Sequence, residues 1–316
     1  MSDRAHNIID VLEHSNTQER YAIRQVSKVF CNSGILPDSA ETGKREAMDA
    51  NRAAGAKTSH DIHAGTPIGW NSYHTYAPAC VPLAIFARQE GIKDMYQLTP
   101  QVLSGYLQFA IDCEVKFATF DKNCSAYEKL CECINSHNGT STDFHKIIDS
   151  YRKQAKEELP ASDYAKRSYD NPTAIIDNLP PSMQVTADLQ LYCGLRISDA
   201  CYIKAENWDG KNLFVENSKN GQNITVTPPQ WLADRLTATL QNGDISVNRN
   251  SYDYQLEKAC VATGQAFSGS HGFRHGYCQA RMEELTGQGC SFYQALQIVS
   301  EEMGHHRPDI TKWYLR

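Results

Sequence analysis

The stretch that most limits what this chain can fold into lies near its end. Ser270-His271-Gly272-Phe273-Arg274-His275 opens a helical pattern, Gly304-His305 follows, and Tyr314 stands nine positions after His305. Upstream, Cys193-Gly194-Leu195-Arg196-Ile197-Ser198-Asp199 ends an apolar helical run at a glycine, a natural C-terminal cap. Arg196 follows at once, so it occupies a fixed, turned position rather than a free helix face. Two arginines, two histidines and a tyrosine form one chemical set. Guanidinium forks grip phosphate oxygens, imidazoles move protons or donate hydrogen bonds, and a phenol can attack phosphorus once activated.

The 316 residues suffice for two ordinary domains. With 41% hydrophobic and 22% charged residues, the chain reads as globular rather than disordered. No apolar run approaches the ~20 residues a membrane-spanning helix needs, and Met1-Ser2-Asp3-Arg4-Ala5-His6 is not followed by a signal-peptide core. The 11 cysteines are odd in number and irregular in spacing, with no Cys-x-x-Cys. They read as small buried hydrophobes in a reducing cytoplasm, not as a disulfide frame or zinc finger. The net charge of −6 is shared by both halves of the chain, so any nucleic-acid surface must be a local basic stripe.

Residues 1–65 read as a helical N-terminal extension. Tyr21, Ile23, Val26, Val29 and Phe30 form a helical stripe, Asn32-Ser33-Gly34 breaks it, and 43–56 is rich in good helix formers. Residues 66–160 read as four helices. The first runs from about 72 and stops at Gly91, with Pro78 and Pro82 expected to kink or shorten it. The second starts at Thr99-Pro100, an N-cap followed by proline at the first helical position. The others span 125–134 and 141–156. Residues 161–182 are punctuated by prolines and read as a linker.

Residues 183–316 are mixed. A helix over 183–192 feeds Gly194. Two β-branched runs, 213–216 and 224–227, flank Asn217-Ser218-Lys219-Asn220-Gly221, and Asn-Gly is the strongest short hairpin signal. Lys219 therefore sits on a hairpin. Helices are expected over 231–240, 252–262, 272–285 and 292–302, with a short one through Tyr314. The fold class expected is mainly α with a small β-sheet.

These motifs, in this order, resemble the tyrosine recombinase (phage integrase) family. Its catalytic half carries Gly-Leu-Arg, a lysine on a β-hairpin, His-x-x-Arg, Gly-His and a terminal tyrosine. The resemblance covers the second half of the chain by motif and the helices before it by pattern. It implies a helical core DNA-binding domain over 66–160 and a mixed α+β catalytic domain over 183–316.

The resemblance also implies roles. Tyr314 becomes the nucleophile that forms a 3′-phosphotyrosine. Arg196 and Arg274 hold the charge of the phosphorane, Lys219 protonates the leaving 5′ oxygen, and His271 and His305 act as base or hydrogen-bond donors. Asp199 orients a catalytic side chain. No cofactor and no metal is required, because fixed cations do the work of an ion, and the conserved bond energy removes any need for ATP. The partners implied are double-stranded DNA carrying recombination sites, three further copies in a tetramer on paired sites, and accessory DNA-bending or directionality proteins, in the bacterial cytoplasm at the nucleoid and away from any membrane.

Three rivals remain. A type IB topoisomerase has the same chemistry but rejoins the same strand; the small size and lack of a long linker disfavour it. A sequence-specific DNA-binding protein with a dead site is disfavoured by the intact set, Lys219 included. A metal-dependent hydrolase would use His271 and His275, one turn apart, with His305 and His306. It lacks the glutamate expected after the first histidine, and a neighbouring guanidinium repels an ion. The 31 positions from Arg274 to His305 exceed the family's usual spacing, with 286–290 expected to loop out the surplus. Two residues follow Tyr314, where many relatives have a helix that docks on the neighbouring protomer; how active sites are coupled is left open.

Overall fold

A computed structural model describes residues 15–160, 166–218, 222–305 and 308–315. The chain divides into two compact units, Met1–Asp163 and Tyr164–Arg316.

The first unit is helical. Helix α1, Asn16–Cys31, starts at a capping box in which Ser15 and Gln18 exchange side-chain and backbone hydrogen bonds. Ala22, Val26, Val29 and Phe30 repeat at helical spacing, and all are buried. Two short helices follow, α2 (Lys44–Ala53) and α3 (Ser59–His63). Helix α4, Trp70–Gln89, contains Pro78 and Pro82, yet neither proline ends it. Each removes one backbone donor. The helix survives because it is buried along much of its surface, from Ala77 to Ala87, so packing rather than propensity holds it. Helix α5, Pro100–Asp112, begins at Thr99, whose hydroxyl accepts from the Val102 amide, with proline at the first position. Helices α6 (Phe117–Asn138) and α7 (Phe144–Glu158) complete the unit, α6 ending at Gly139 in left-handed backbone.

One continuous core joins Ala22, Val26, Val29 and Phe30 to residues of α4, α5, α6 and α7. The expected boundary near residue 65 thus does not separate two cores. The stripe on α1 could not be stable alone and is buried against α4. The stretch expected as a linker also carries more structure than expected. Within it α8, Pro172–Asp177, is capped by Asn171, and Ile175, Ile176, Leu179 and Tyr169 are buried in the second unit. Here proline initiates a helix instead of breaking one, and the apolar residues between the prolines supply a buried face.

In the second unit α9, Pro181–Cys193, is buried almost all round and stops at Gly194. Gly194 has φ +63°, and a Cβ there would lie 2.5 Å from the Tyr277 ring. A four-residue helix α10, Ile197–Ala200, follows. Strand β1 (Tyr202–Ile203) pairs antiparallel with β4 (Ile245–Ser246), and β2 (Leu213–Ser218) pairs antiparallel with β3 (Gln222–Val226), with Leu213 opposite Val226 and a register shift between Val215 and Ser218. The Asn220-Gly221 turn lies outside the described residues. Helices α11 (Gln230–Leu240), α12 (Arg249–Ala262), α13 (His271–Gly287), α14 (Phe292–Glu302) and α15 (Pro308–Thr311) complete the unit, with a 3₁₀ turn over Lys312–Leu315. The fold is mainly α with small two-stranded sheets. The surplus between Arg274 and His305 is taken up by a long α13 and a short turn before α14, which Ser291 and Gln294 open with a second capping box.

All the cysteines are free, and only Cys31, Cys113 and Cys290 are not buried. Among the described residues no helix is long and apolar enough to cross a membrane.

Candidate active site

The site is built from helix ends. Arg196 is the residue before α10, in extended backbone just past the left-handed turn at Gly194. Its Nη1 donates to Ser218 Oγ at 3.0 Å and its Nη2 to the Gly304 carbonyl at 3.0 Å. Ser218 Oγ in turn donates to Asp199 Oδ2 at 2.7 Å, and Ser198 Oγ donates to Asp199 Oδ1 at 2.9 Å. A hydroxyl has one proton to give and two lone pairs to receive. Ser218 therefore spends its proton on Asp199 and accepts from Arg196, linking the end of β2 to both. Arg196 itself lies 4.0 Å from Asp199, so the serine mediates most of the coupling.

Arg274 lies in the first turn of α13 and is only 1% exposed. Its guanidinium donates to the Gly194 carbonyl, to the Met303 carbonyl at 3.3 Å and to His305 Nε2 at 3.2 Å. Its buried Nε has no hydrogen-bond partner. Among the described residues no ion pair joins Arg274 to a carboxylate. Burial pushes its pKa down from the ordinary value, the nearby Tyr314 hydroxyl opposes that, and Arg196 adds to it. An arginine stays protonated under such conditions. The result is a desolvated cation satisfied by neutral acceptors, an arrangement that favours the arrival of an anion.

His305 follows Gly304, whose φ is +62° and whose absent Cβ would lie 2.8 Å from Ile224 Cδ1. Only glycine fits this backbone and this contact, and the carbonyl it presents is the one Arg196 holds. His305 Nδ1 lies 3.0 Å from Thr311 Oγ1. Because a guanidinium only donates, His305 Nε2 must accept from Arg274, which puts the proton of the neutral ring on Nδ1, facing Thr311.

Tyr314 is half-buried in the terminal 3₁₀ turn. Its ring stacks on His275 at 4.5 Å between centroids, with His305 at 5.0 Å and His271 at 6.3 Å. The Arg274 guanidinium carbon is 5.8 Å from the ring centre. Its backbone carbonyl accepts from His275 Nδ1 at 3.1 Å and from Gln279 Nε2 at 3.3 Å. Burial pushes the His275 pKa down, so this ring is neutral and serves as a shelf that positions the tyrosine. His271, exposed at the start of α13, borders the same group.

The geometry thus brings Arg196, Asp199, His271, Arg274, His305 and Tyr314 together. Lys219 follows Ser218 directly but lies outside the described residues, as does His306. Sequence reasoning missed Ser218, Thr311 and Gln279 and left His275 as a packing or DNA-contact residue. The nearest signal was position: Ser218 precedes the hairpin lysine, and Gln279 lies one turn beyond His275. Thr311 offered none.

No family model matches the sequence, and no curated protein is significantly similar to it. Solved structures do match. The likeness is one of fold, to integrases solved on DNA. The integrase of transposon Tn1549, solved in complex with transposon right-end DNA, superposes with a TM-score of 0.52 at 10% identity, over 92% of this chain and 95% of that one. A lambda integrase dimer bound to a COC′ core site gives 0.50 at 15% identity, over 89% and 83%.

Proposed function

We propose that this protein is a site-specific DNA recombinase of the integrase type, and that Tyr314 is its nucleophile. The observation that carries the reading is Arg274: a fully buried guanidinium, with no carboxylate partner among the described residues, beside a tyrosine that three histidines surround. The DNA-bound integrases that share the fold support duplex DNA as the substrate.

In this reading the scissile phosphate sits between Arg196 and Arg274. Tyr314 Oη attacks phosphorus and the P–O5′ bond breaks, leaving a 3′-phosphotyrosine and a 5′ hydroxyl. The phenol proton passes to an imidazole, His271, or His305 once its Nε2 is released from Arg274, and the leaving oxygen takes its proton from Lys219. A 5′ hydroxyl from a second strand then reverses the step. Bond energy is conserved, so no ATP is needed, and the fixed cations take the place of a metal ion. Asp199 and Ser218 hold Arg196, while His275 and Gln279 hold the backbone of Tyr314. Recombination of two sites calls for four copies on paired DNA, in the bacterial cytoplasm, with accessory DNA-bending or directionality proteins where a given site needs them. With a net charge of −6, binding rests on a local set of Lys and Arg, and the counterions these release from the phosphates make it salt-dependent.

The test is a nicked suicide duplex carrying the candidate attachment site, incubated with EDTA. Wild type forms a denaturant-resistant protein–DNA adduct and Tyr314→Phe forms none. Binding of that DNA without an adduct from either protein overturns the catalytic reading and leaves a DNA-binding protein.

A further inference from the structure

A second cluster of titratable side chains lies in the helical unit, where the strand-transfer chemistry makes no use of it. His60 on α3, Glu128 on α6 and His145 on α7 converge from three separate elements, with a ligand-capable atom of each within 4.8 Å of the others. All three are partly buried, and they line a cavity of about 560 Å³. Among the described residues they are the group with metal-binding geometry. We propose that this cluster is a divalent-metal site, suited to zinc, that fastens α3 to α6 and α7.

Three observations carry this. The first is chemical: two imidazoles and one carboxylate are a common zinc donor set, with water free to complete a tetrahedron. Zinc–ligand bonds of ~2.0–2.2 Å put donor atoms roughly 3.3–3.6 Å apart, so closing the set from within 4.8 Å requires the two stacked rings to turn out of parallel toward the ion.

The second is the packing of the rings. His60 and His145 stack at 3.4 Å between centroids and 12° between planes. His145 Nδ1 lies 2.8 Å from Glu128 Oε1, so donor atoms from two separate helices already face one another, with the second ring beside them.

The third is charge. In the cavity wall Glu128, Glu132 and Asp149 are balanced by Lys44, Lys129 and Arg152. Asp121 sits 3.1 Å from Arg152 Nε, and Asp61, which accepts a hydrogen bond from Thr58 at 2.6 Å, follows His60 directly in the chain. Lys153, 3.9 Å from Asp149, offsets one of them, and the cluster is left with an excess of negative charge that a cation meets. Arg152 now holds Glu128 through both of its oxygens. It has Asp121 and Asp149 within 4 Å as alternative partners, so Glu128 can turn to an ion without stranding the arginine.

The test uses the full-length protein, stripped with a chelator and titrated with zinc by calorimetry. Wild type takes up one equivalent that the His60→Asn and His145→Gln variants bind ~10-fold or more weakly. Cobalt in the same site gives a spectrum of nitrogen and oxygen ligation without thiolate charge-transfer bands, which separates it from binding at cysteine. Zinc slows amide exchange across α3 in wild type and not in His60→Asn, a readout that does not depend on DNA cleavage. Equal uptake by wild type and both variants, thiolate bands with cobalt, or no uptake at millimolar zinc each overturns the proposal.

Discussion

Arg152 in the helical unit and Arg274 in the mixed unit are both withdrawn from water, and they are treated in opposite ways. Arg152 grips both oxygens of Glu128, at 2.6 and 3.0 Å, and has Asp121 and Asp149 nearby. Burial lowers its pKa, but Glu128 outweighs burial and the net shift is upward. Arg274 is more deeply buried and has two carbonyls and an imidazole for partners. Burial lowers its pKa and nothing nearby reverses the direction. A guanidinium neutralised by carboxylate holds helices together and offers little field to a ligand. One that faces only neutral dipoles keeps its field for an incoming phosphate, at a standing cost to stability.

Replacing both arginines with methionine exploits that difference. Arg274→Met lowers the rate of covalent adduct formation by ~10²–10³-fold, the usual loss when one preorganised donor disappears. Its thermal midpoint stays near that of wild type or rises, because an unpaired buried charge has gone. Arg152→Met does the reverse. It leaves Glu128 with His145 alone, destabilises the helical unit by about 2 kcal/mol in denaturant unfolding, and spares the chemical step in protein that remains folded. If the two variants shift rate and midpoint alike, the contrast between them is wrong.

Ser218→Ala sharpens the comparison on the other arginine. Arg196 loses an acceptor and Asp199 loses a donor. Loss of a hydrogen bond to a charged group, about 1.5 kcal/mol, slows single-turnover cleavage by roughly 10-fold. Ser218→Thr keeps the hydroxyl and restores most of the rate; equal loss in both variants points to packing instead.

The smallest effect concerns His275. Its folded pKa lies below the unfolded value of 6.5. Folding therefore favours the neutral ring, and the stability this contributes is present above the unfolded pKa and lost as pH falls through the depressed folded value. Wild type shows a thermal midpoint that drops between pH 7 and acid in part through this residue, and His275→Gln flattens that part of the profile. An unchanged profile removes His275 as a titrating support of Tyr314.

What could be read from sequence follows the same division. Arg196, Arg274, His305 and Tyr314 were legible because each sits in a short motif whose local structure is dictated by neighbours, such as the left-handed glycine before Leu195. The hairpin and the Thr99-Pro100 helix start were legible for that reason too. Ser218 and Thr311 were not, since their roles are hydrogen bonds to partners whose position only the folded chain decides. A helical stripe such as that on α1 says that a face is buried, not against what, so its place in one core with α4 was not legible. Pro78 and Pro82 do not end α4, because its burial outweighs their local cost. His60 and His145 carry no spacing signal, being brought together by the packing of α3 on α6 and α7.

The two glycine carbonyls have a consequence for how such a chain can change. The Gly194 carbonyl receives Arg274, and the Gly304 carbonyl receives Arg196. The segment with Gly194 and Arg196 and the segment from Arg274 to Gly304 thus each supply the anchor for the arginine of the other. A chimera that imports one segment from a relative, with its turn displaced by a fraction of an ångström, strands the guanidinium inherited from the opposite parent. The two segments form a single heritable unit, and successful exchanges between such proteins are expected to break the chain outside the interval from Gly194 to Gly304.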